Sequence, residues 1–316
     1  LNQGRSPVSS GAKKLSPDII TAPLTALILR LMKPAPPLLR FLLLVMSLSI
    51  VCLQSSRSDE IPTDSVPLYR AIVADVKPFP RENFTQGLEI SEGELYVSSG
   101  LYGKSAVRVY DWDSMTRMRE AALAPQFFAE GLTRIDDKLY LLTWREGRLL
   151  VLDPLSLEIQ AAMGYQGEGW GLAHHDQSLW LSDGSQRLIR LDLSKSLSQD
   201  HSQNAPQQSK AARNTPTVTI IDVTLEGKPL KRLNELEWVD GELWANIWQT
   251  DTIARIDPHS GEVVGLIDAS NLLSPEDRLR DTDVLNGIAR DPETGKIWVT
   301  GKRWPKIFQI ILEPAD

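Results

Sequence analysis

Carboxylates, side-chain amides, indoles and one lysine recur at matching places in this 316-residue sequence. They stand in Phe84-Thr85-Gln86, Phe127-Phe128-Ala129-Glu130, Gly167-Glu168-Gly169-Trp170, Asn234-Glu235 and Leu285-Asn286. They recur at Trp144, Asp183, Asn246-Ile247-Trp248 and Lys302-Arg303-Trp304. Gathered at one end of a fold, this set makes a pocket with aromatic walls, amides, one or two carboxylates and a lysine. A carboxylate there can move protons, and a lysine or an amide can stabilise a developing oxyanion. Each residue also has a plainer reading. Glu130 can tie neighbouring backbone N–H groups together. The glycines after Gln86, Glu130, Glu168 and Asn286 suit turns or close packing better than a ligand cradle. His174-His175 read as solvated turn residues. Asp111, Asp153, Asp192 and Asp257 read as strand ends that accept turn amides.

An internal repeat decides how these residues are brought together. A small residue or acid precedes Leu or Ile, and Leu or Ile with an aromatic follows. The pairs are Gly87-Leu88 with Leu95-Tyr96, Gly131-Leu132 with Leu139-Tyr140, Gly171-Leu172 with Leu179-Trp180, Glu235-Leu236 with Leu243-Trp244, and Gly287-Ile288 with Ile297-Trp298. An alternating strand follows each: 106–111, 148–153, 187–192, 252–257 and 306–311. Period-2 alternation between Gly, Asp, Pro and Ser reads as β-strand. No amphipathic helix of three turns appears after residue 60. The units start 44, 40, 64 and 52 residues apart, and about 40–50 residues with three or four strands is one propeller blade.

The expected fold is therefore all-β, a five-bladed β-propeller. Tyr69–Val76 should pair beside Lys306–Leu312, completing the last blade and leaving no open edge. Trp180, Trp244 and Trp298 fall on the repeated aromatic position and read as core between blades. Trp144, Trp170 and Trp248 lie outside that register, which leaves pocket and core roles open. Residues 194–217, rich in Ser, Gln, Asn and Lys, read as a solvated insertion loop. Residues 268–283 form a second excursion with room for one helical turn.

Composition narrows the class. Hydrophobic content of 42 % and charged content of 24 % fit a soluble globular chain rather than a polytopic membrane protein. The net charge of −7 argues against a nucleic-acid partner. The run Phe41–Leu53 is short for a membrane span, which needs about 20 residues. With Lys33 and Arg40 before it and Gln54-Ser55-Ser56 after it, it suits a signal peptide at 32–56. Met32 is the expected start, with residues 1–31 upstream of it. Anchoring through residues 38–53, or a lipid on Cys52, are the rival readings. Beyond residue 54 the chain has 28 basic and 40 acidic residues and no cysteine. The expectation is an exported, periplasmic or secreted monomer with one catalytic domain at 65–316.

At this point the strings FTQGLEI, SGLYGKS, AEGLT with LTW, EGWGL with LSDGS, LNELEWVDGELWANIWQT, LNGIA and VTGKRWPK come together. They resemble the plant and bacterial glutamine cyclotransferases, from about Tyr69 to Leu312. The resemblance implies a five-bladed propeller that cyclises N-terminal glutamine of peptides to pyroglutamate with release of ammonia. It implies Glu130 and Lys302 as catalytic residues. It places Phe84, Gln86, Phe128, Trp144, Trp170, Asn234 and Trp248 around the substrate. It implies no metal and no cofactor. The insertion at 194–217 has no counterpart in the core pattern. Two other classes stand beside it. A lactonase or sugar-processing propeller would hold calcium with Glu130, Glu168, Asn234, Asn286 and Asp183. A non-catalytic binding propeller would need neither Glu130 nor Lys302.

Overall fold

Alternating side chains bounded by turn residues fold as strands along the whole repeat. The computed structural model describes residues 65–194 and 216–315. The expected leader at 32–56, Cys52 and most of the 194–217 insertion lie outside these residues. Three successive repeats each make a four-stranded antiparallel sheet in chain order. The first holds β2 (Thr85–Ser91), β3 (Glu94–Ser99), β4 (Ala106–Asp111) and β5 (Arg117–Ala122), after the N-terminal strand β1 (Leu68–Pro78). The second holds β6 (Ala129–Ile135), β7 (Lys138–Thr143), β8 (Arg148–Leu152) and β9 (Ile159–Gly164). The third holds β10 (Leu172–His175), β11 (Ser178–Ser182), β12 (Arg187–Asp192) and β13 (Thr217–Asp222), followed by a small hairpin of β14 (Thr224–Leu225) and β15 (Lys228–Pro229).

The last two repeats join into one eight-stranded sheet. It contains β16 (Leu233–Val239), β17 (Glu242–Ile247), β18 (Thr252–Ile256) and β19 (Val263–Asp268), then β20 (Leu285–Arg290), β21 (Ile297–Gly301) and β22 (Lys306–Pro314). Strand β1 is the seam. It runs antiparallel to β22, pairing Ala71 with Leu312 and Val76 with Phe308, as the sequence leads one to expect. It also runs parallel to β19 through Leu68, Tyr69 and Arg70. The first strands of the repeats pack in a closed circuit: β2 against β6 and β20, β10 against β6 and β16, and β16 against β20. The architecture is all-β and propeller-like. A 3₁₀ turn, Pro275–Asp277, sits in the second excursion. No helix among the described residues is long and apolar enough to cross a membrane.

Local chemistry sets the turns. The hairpins after β2, β6, β10 and β16 turn on Glu92, Asp136, Asp176 and Asp240, at φ of 49 to 51°. A left-handed residue there matches the right-handed twist of the paired strands. Asp111, Asp153, Asp192 and Asp257 accept N–H groups from Ser114, Ser156, Ser194 and His259 at 2.8–2.9 Å. The strand-end reading of these acids holds.

The core lies between sheets. Trp180 shares a cluster with Leu243 and Ala245 of β17, Trp244 with Ile288 and Val299, and Trp298 with Leu88 and Leu95. All three are buried. Each such ring buries roughly 150–250 Å², on the order of 4–6 kcal/mol of transfer free energy, so these indoles hold neighbouring repeats together.

Candidate active site

The first strands come closest where each carries its small residue. A Cβ on Gly131 would collide with the backbone of Gly171-Leu172, and one on Gly171 with that of Asn234-Glu235. These glycines serve close packing. The fourth repeat has Glu235 at that place instead. It is fully buried, and its Oε2 accepts the Ile288 N–H at 2.8 Å. Backbone tying, one of the two readings of Glu130, is thus done by Glu235. Among the described residues the Glu130 carboxyl accepts no hydrogen bond, although its main-chain oxygen accepts one from Ser98 Oγ.

One residue before the packing point, the first strands face a cavity of about 570 Å³. Its lining includes all nine residues named above: Phe84, Gln86, Phe128, Glu130, Trp144, Trp170, Asn234, Trp248 and Lys302. The second strands reach the same cavity from the other side, because each hairpin returns to the end where its first strand began. Trp144 donates its backbone N–H to Phe128 O at 3.0 Å, and Trp248 to Arg232 O at 2.9 Å. Lys302 donates its backbone N–H to Val284 O at 2.9 Å and accepts one from Asp283 at 3.0 Å.

The aromatic walls are built from ring-on-ring contacts, edge to face in one and tilted in the other. Trp170 and Trp248 meet at 5.4 Å with an interplanar angle of 86°, and Phe128 and Trp144 at 5.4 Å. Glu168 clamps the two walls to each other. Its Oε2 accepts the indole N–H of Trp144 at 2.8 Å and of Trp170 at 3.0 Å, and its Oε1 accepts from Arg145 at 3.1 Å. Burial works against its charge, but these donors outweigh burial and hold the carboxyl below its ordinary range.

Glu130 and Lys302 line the same cavity and act on each other electrostatically. Glu130 is 5 % exposed, and burial pushes its carboxyl well above the ordinary range, with the Lys302 charge pulling the other way. Lys302 is also 5 % exposed, and burial lowers its ammonium while Glu130 and Asp283 oppose that shift. Its Nζ lies 5.0 Å from the Phe84 ring centroid. Among the described residues that ammonium donates no hydrogen bond, so both groups are available to a substrate.

Other residues behave differently from the sequence reading. Asp183 pairs with Arg187 at 2.5 Å and lies outside the cavity lining. Asn286 is buried and donates to Thr85 O at 3.0 Å. Trp304 is core, its indole N–H held by Asp283 O at 3.0 Å. His174-His175 end strand β10 rather than occupying a turn. His175 stacks on Trp238 at 4.1 Å, and the half-buried His174 meets Thr133 Oγ1 at 2.7 Å through Nδ1. The lining also includes Leu101, Arg145, Gln249, Asp283 and Val284, which the repeat does not single out. Arg145 and Gln249 are each one residue past a wall tryptophan, a signal that was present.

A second buried acidic group lies further along the first strands. Glu89 accepts from Thr133 Oγ1 at 2.8 Å, and burial raises its carboxyl to about 7. Burial likewise raises Glu235. An acid with a raised folded pKa holds its proton more tightly when folded. Its stabilising share is full below about 4.5 and is lost as pH climbs through about 7. The urea midpoint is therefore expected to fall between pH 5 and 8, with a shallower fall in Glu89→Gln. A midpoint that is flat or rising across that range contradicts the assignment.

Comparison with known proteins agrees with the geometry. The family model described as glutamine cyclotransferase matches residues 44–312. An Arabidopsis thaliana protein named glutaminyl-peptide cyclotransferase is 35 % identical over 246 residues, covering 76 % of this chain and 70 % of that one. The crystal structure of Myxococcus xanthus glutaminyl cyclase aligns at a TM-score of 0.64 and 31 % identity, covering 79 % of this chain and 99 % of that one. With most of its length matched in both sequence and fold, the chain belongs to the glutamine cyclotransferase family.

Proposed function

We propose that this cavity cyclises the N-terminal glutamine of peptides to pyroglutamate, with Glu130 moving the proton and Lys302 stabilising the oxyanion. The observation that carries the reading is that Glu130 and Lys302, both buried and with side chains free of hydrogen-bond partners among the described residues, line one aromatic-walled cavity. The α-amine attacks the carbonyl carbon of the side-chain amide, a C–N bond forms, and the amide oxygen takes the negative charge. Glu130 accepts the proton lost by the amine and returns it to the departing amide nitrogen. The second C–N bond then breaks and ammonia leaves. A free α-amine has a pKa of roughly 7.7–8.0. Burial shifts the Glu130 carboxyl upward, in the direction of the amine, which favours its taking and returning the proton.

Lys302, with the amides of Gln86 and Asn234, donates to the oxyanion from preset positions. Phe84, Phe128, Trp144, Trp170 and Trp248 hold the flexible side chain bent for ring closure. Trp170→Ala is expected mainly to raise KM, with a loss of about 1–3 kcal/mol in kcat/KM, since stacking acts before and during reaction. Steady-state kinetics on a Gln-peptide check this. A large fall in kcat at unchanged KM contradicts it.

The scheme asks for no metal. The calcium reading loses support because Glu168 is held by two indoles and Arg145, and Asp183 by Arg187. Ammonia release from Gln-Gln should proceed at the same rate with and without EDTA. Loss of activity in EDTA, restored by calcium or zinc, overturns metal independence.

The finer fold reading is a single five-bladed domain at 65–316, supported by five repeats, the circuit of first strands and the closing strand β1. Export through a signal at 32–56 is supported by the apolar run Phe41–Leu53. Sequencing the N-terminus of the protein made in its host tests it. A start close to residue 57 supports cleavage, and an uncleaved membrane-bound chain supports the anchor.

A further inference from the structure

Once glutamine fills the cavity, the rest of the peptide must leave it. On the Trp144 side the rim is closed upon itself. Arg145 lies 3.7 Å over the Trp144 ring and pairs with Glu168, while Tyr102 packs against Phe128 and donates to Glu146 at 2.8 Å. On the Lys302 side the cavity meets a second one of about 340 Å³, with Gln249, Asp283 and Val284 common to both. The second cavity lies between the loop after β17 and the excursion before β20, and it adds Thr250, Asp251, Arg278 and Thr282.

The charges there are unusual for their neighbourhood. Arg81 and Arg303 both pair with Asp281, and Lys306 pairs with Asp277. Among the described residues neither the Arg278 guanidinium nor the Asp251 carboxylate has an ion pair or hydrogen bond. Asp283, the third charged residue of this groove, accepts the Val284 N–H at 2.7 Å, which leaves Arg278 and Asp251 as opposite charges without partners among the described residues in a groove that continues from the catalytic cavity.

We propose that this groove binds the second and third residues of the peptide substrate and reads their charge, Arg278 attracting acidic side chains and Asp251 basic ones. The inference rests on the cyclisation reading above. It extends that reading from the terminal glutamine to the residues behind it.

The test is kcat/KM on Gln-Glu-Glu-amide, Gln-Lys-Lys-amide and Gln-amide. Arg278→Glu should shift the Glu-to-Lys ratio towards the lysine peptide by about three- to tenfold, the scale of an exposed pair lost and a repulsion gained. Asp251→Lys should shift it the opposite way. Arg280→Glu reverses a nearby charge outside the groove lining and should leave the ratio unchanged. Groove variants that leave the ratio where wild type has it, or an Arg280→Glu shift as large as that of Arg278→Glu, overturn the proposal. Turnover of Gln-amide by wild type reports on the underlying reaction by itself. If Gln-amide is not cyclised, the function is wrong. If it is and the ratio does not move, only the groove is wrong.

Discussion

Glu130→Gln is expected to keep the fold and to slow cyclisation by roughly a hundredfold or more, the scale of losing a general acid–base group. Among the described residues the Glu130 carboxyl accepts no hydrogen bond, so an amide of the same shape leaves no donor stranded. The change also removes a buried ionisable group whose charged form is costly there. Lys302 loses one of its two opposing charges and keeps Asp283, so stability should change little while the rate collapses. Thermal unfolding and steady-state kinetics on the same preparation separate these effects. Activity within a few-fold of wild type reassigns Glu130 to structure.

Lys302→Met should lower kcat and kcat/KM together, by about 10²–10³ if Lys302 is the main oxyanion donor. A surface lysine in an ordinary ion pair would be worth under about 1 kcal/mol. Lys302 is not such a residue. It is 5 % exposed, with its backbone locked between Asp283 and Val284 and its ammonium above the Phe84 ring. Methionine keeps the length and removes the charge. A variant with normal kcat and only a weaker KM sinks the oxyanion role and leaves Lys302 as a contact to the peptide backbone.

How much of this was legible in the sequence follows from its periodicity. The small-residue–Leu pairs place the start of each first strand, and the strand period places the residue before it in the cavity. That is why Gln86, Glu130, Trp170 and Asn234 were readable, and why Tyr69–Val76 fell beside Lys306–Leu312. Packing decided the rest. Glu235 and Glu130 are both acids at strand starts, one residue out of register, and that one residue turns the first into a backbone tie and the second into a cavity group. The indole clamp of Glu168 joins residues 24 apart, and no local pattern marks it. His174 looked like a turn residue because only the neighbouring sheet supplies Thr133. Asp283 and Val284 reach the cavity from an irregular excursion whose return path depends on Trp304 docking beneath it.

The central claim is that the α-amine of the substrate, not water, displaces the γ-amide nitrogen. The direct test is ammonia release from a Gln-peptide and from the same peptide N-acetylated, with product mass measured in both. The account predicts one ammonia for each pyroglutamyl end formed from the free peptide and none from the acetylated one. Ammonia from the acetylated peptide with a glutamate product, or none from the free peptide, would contradict it.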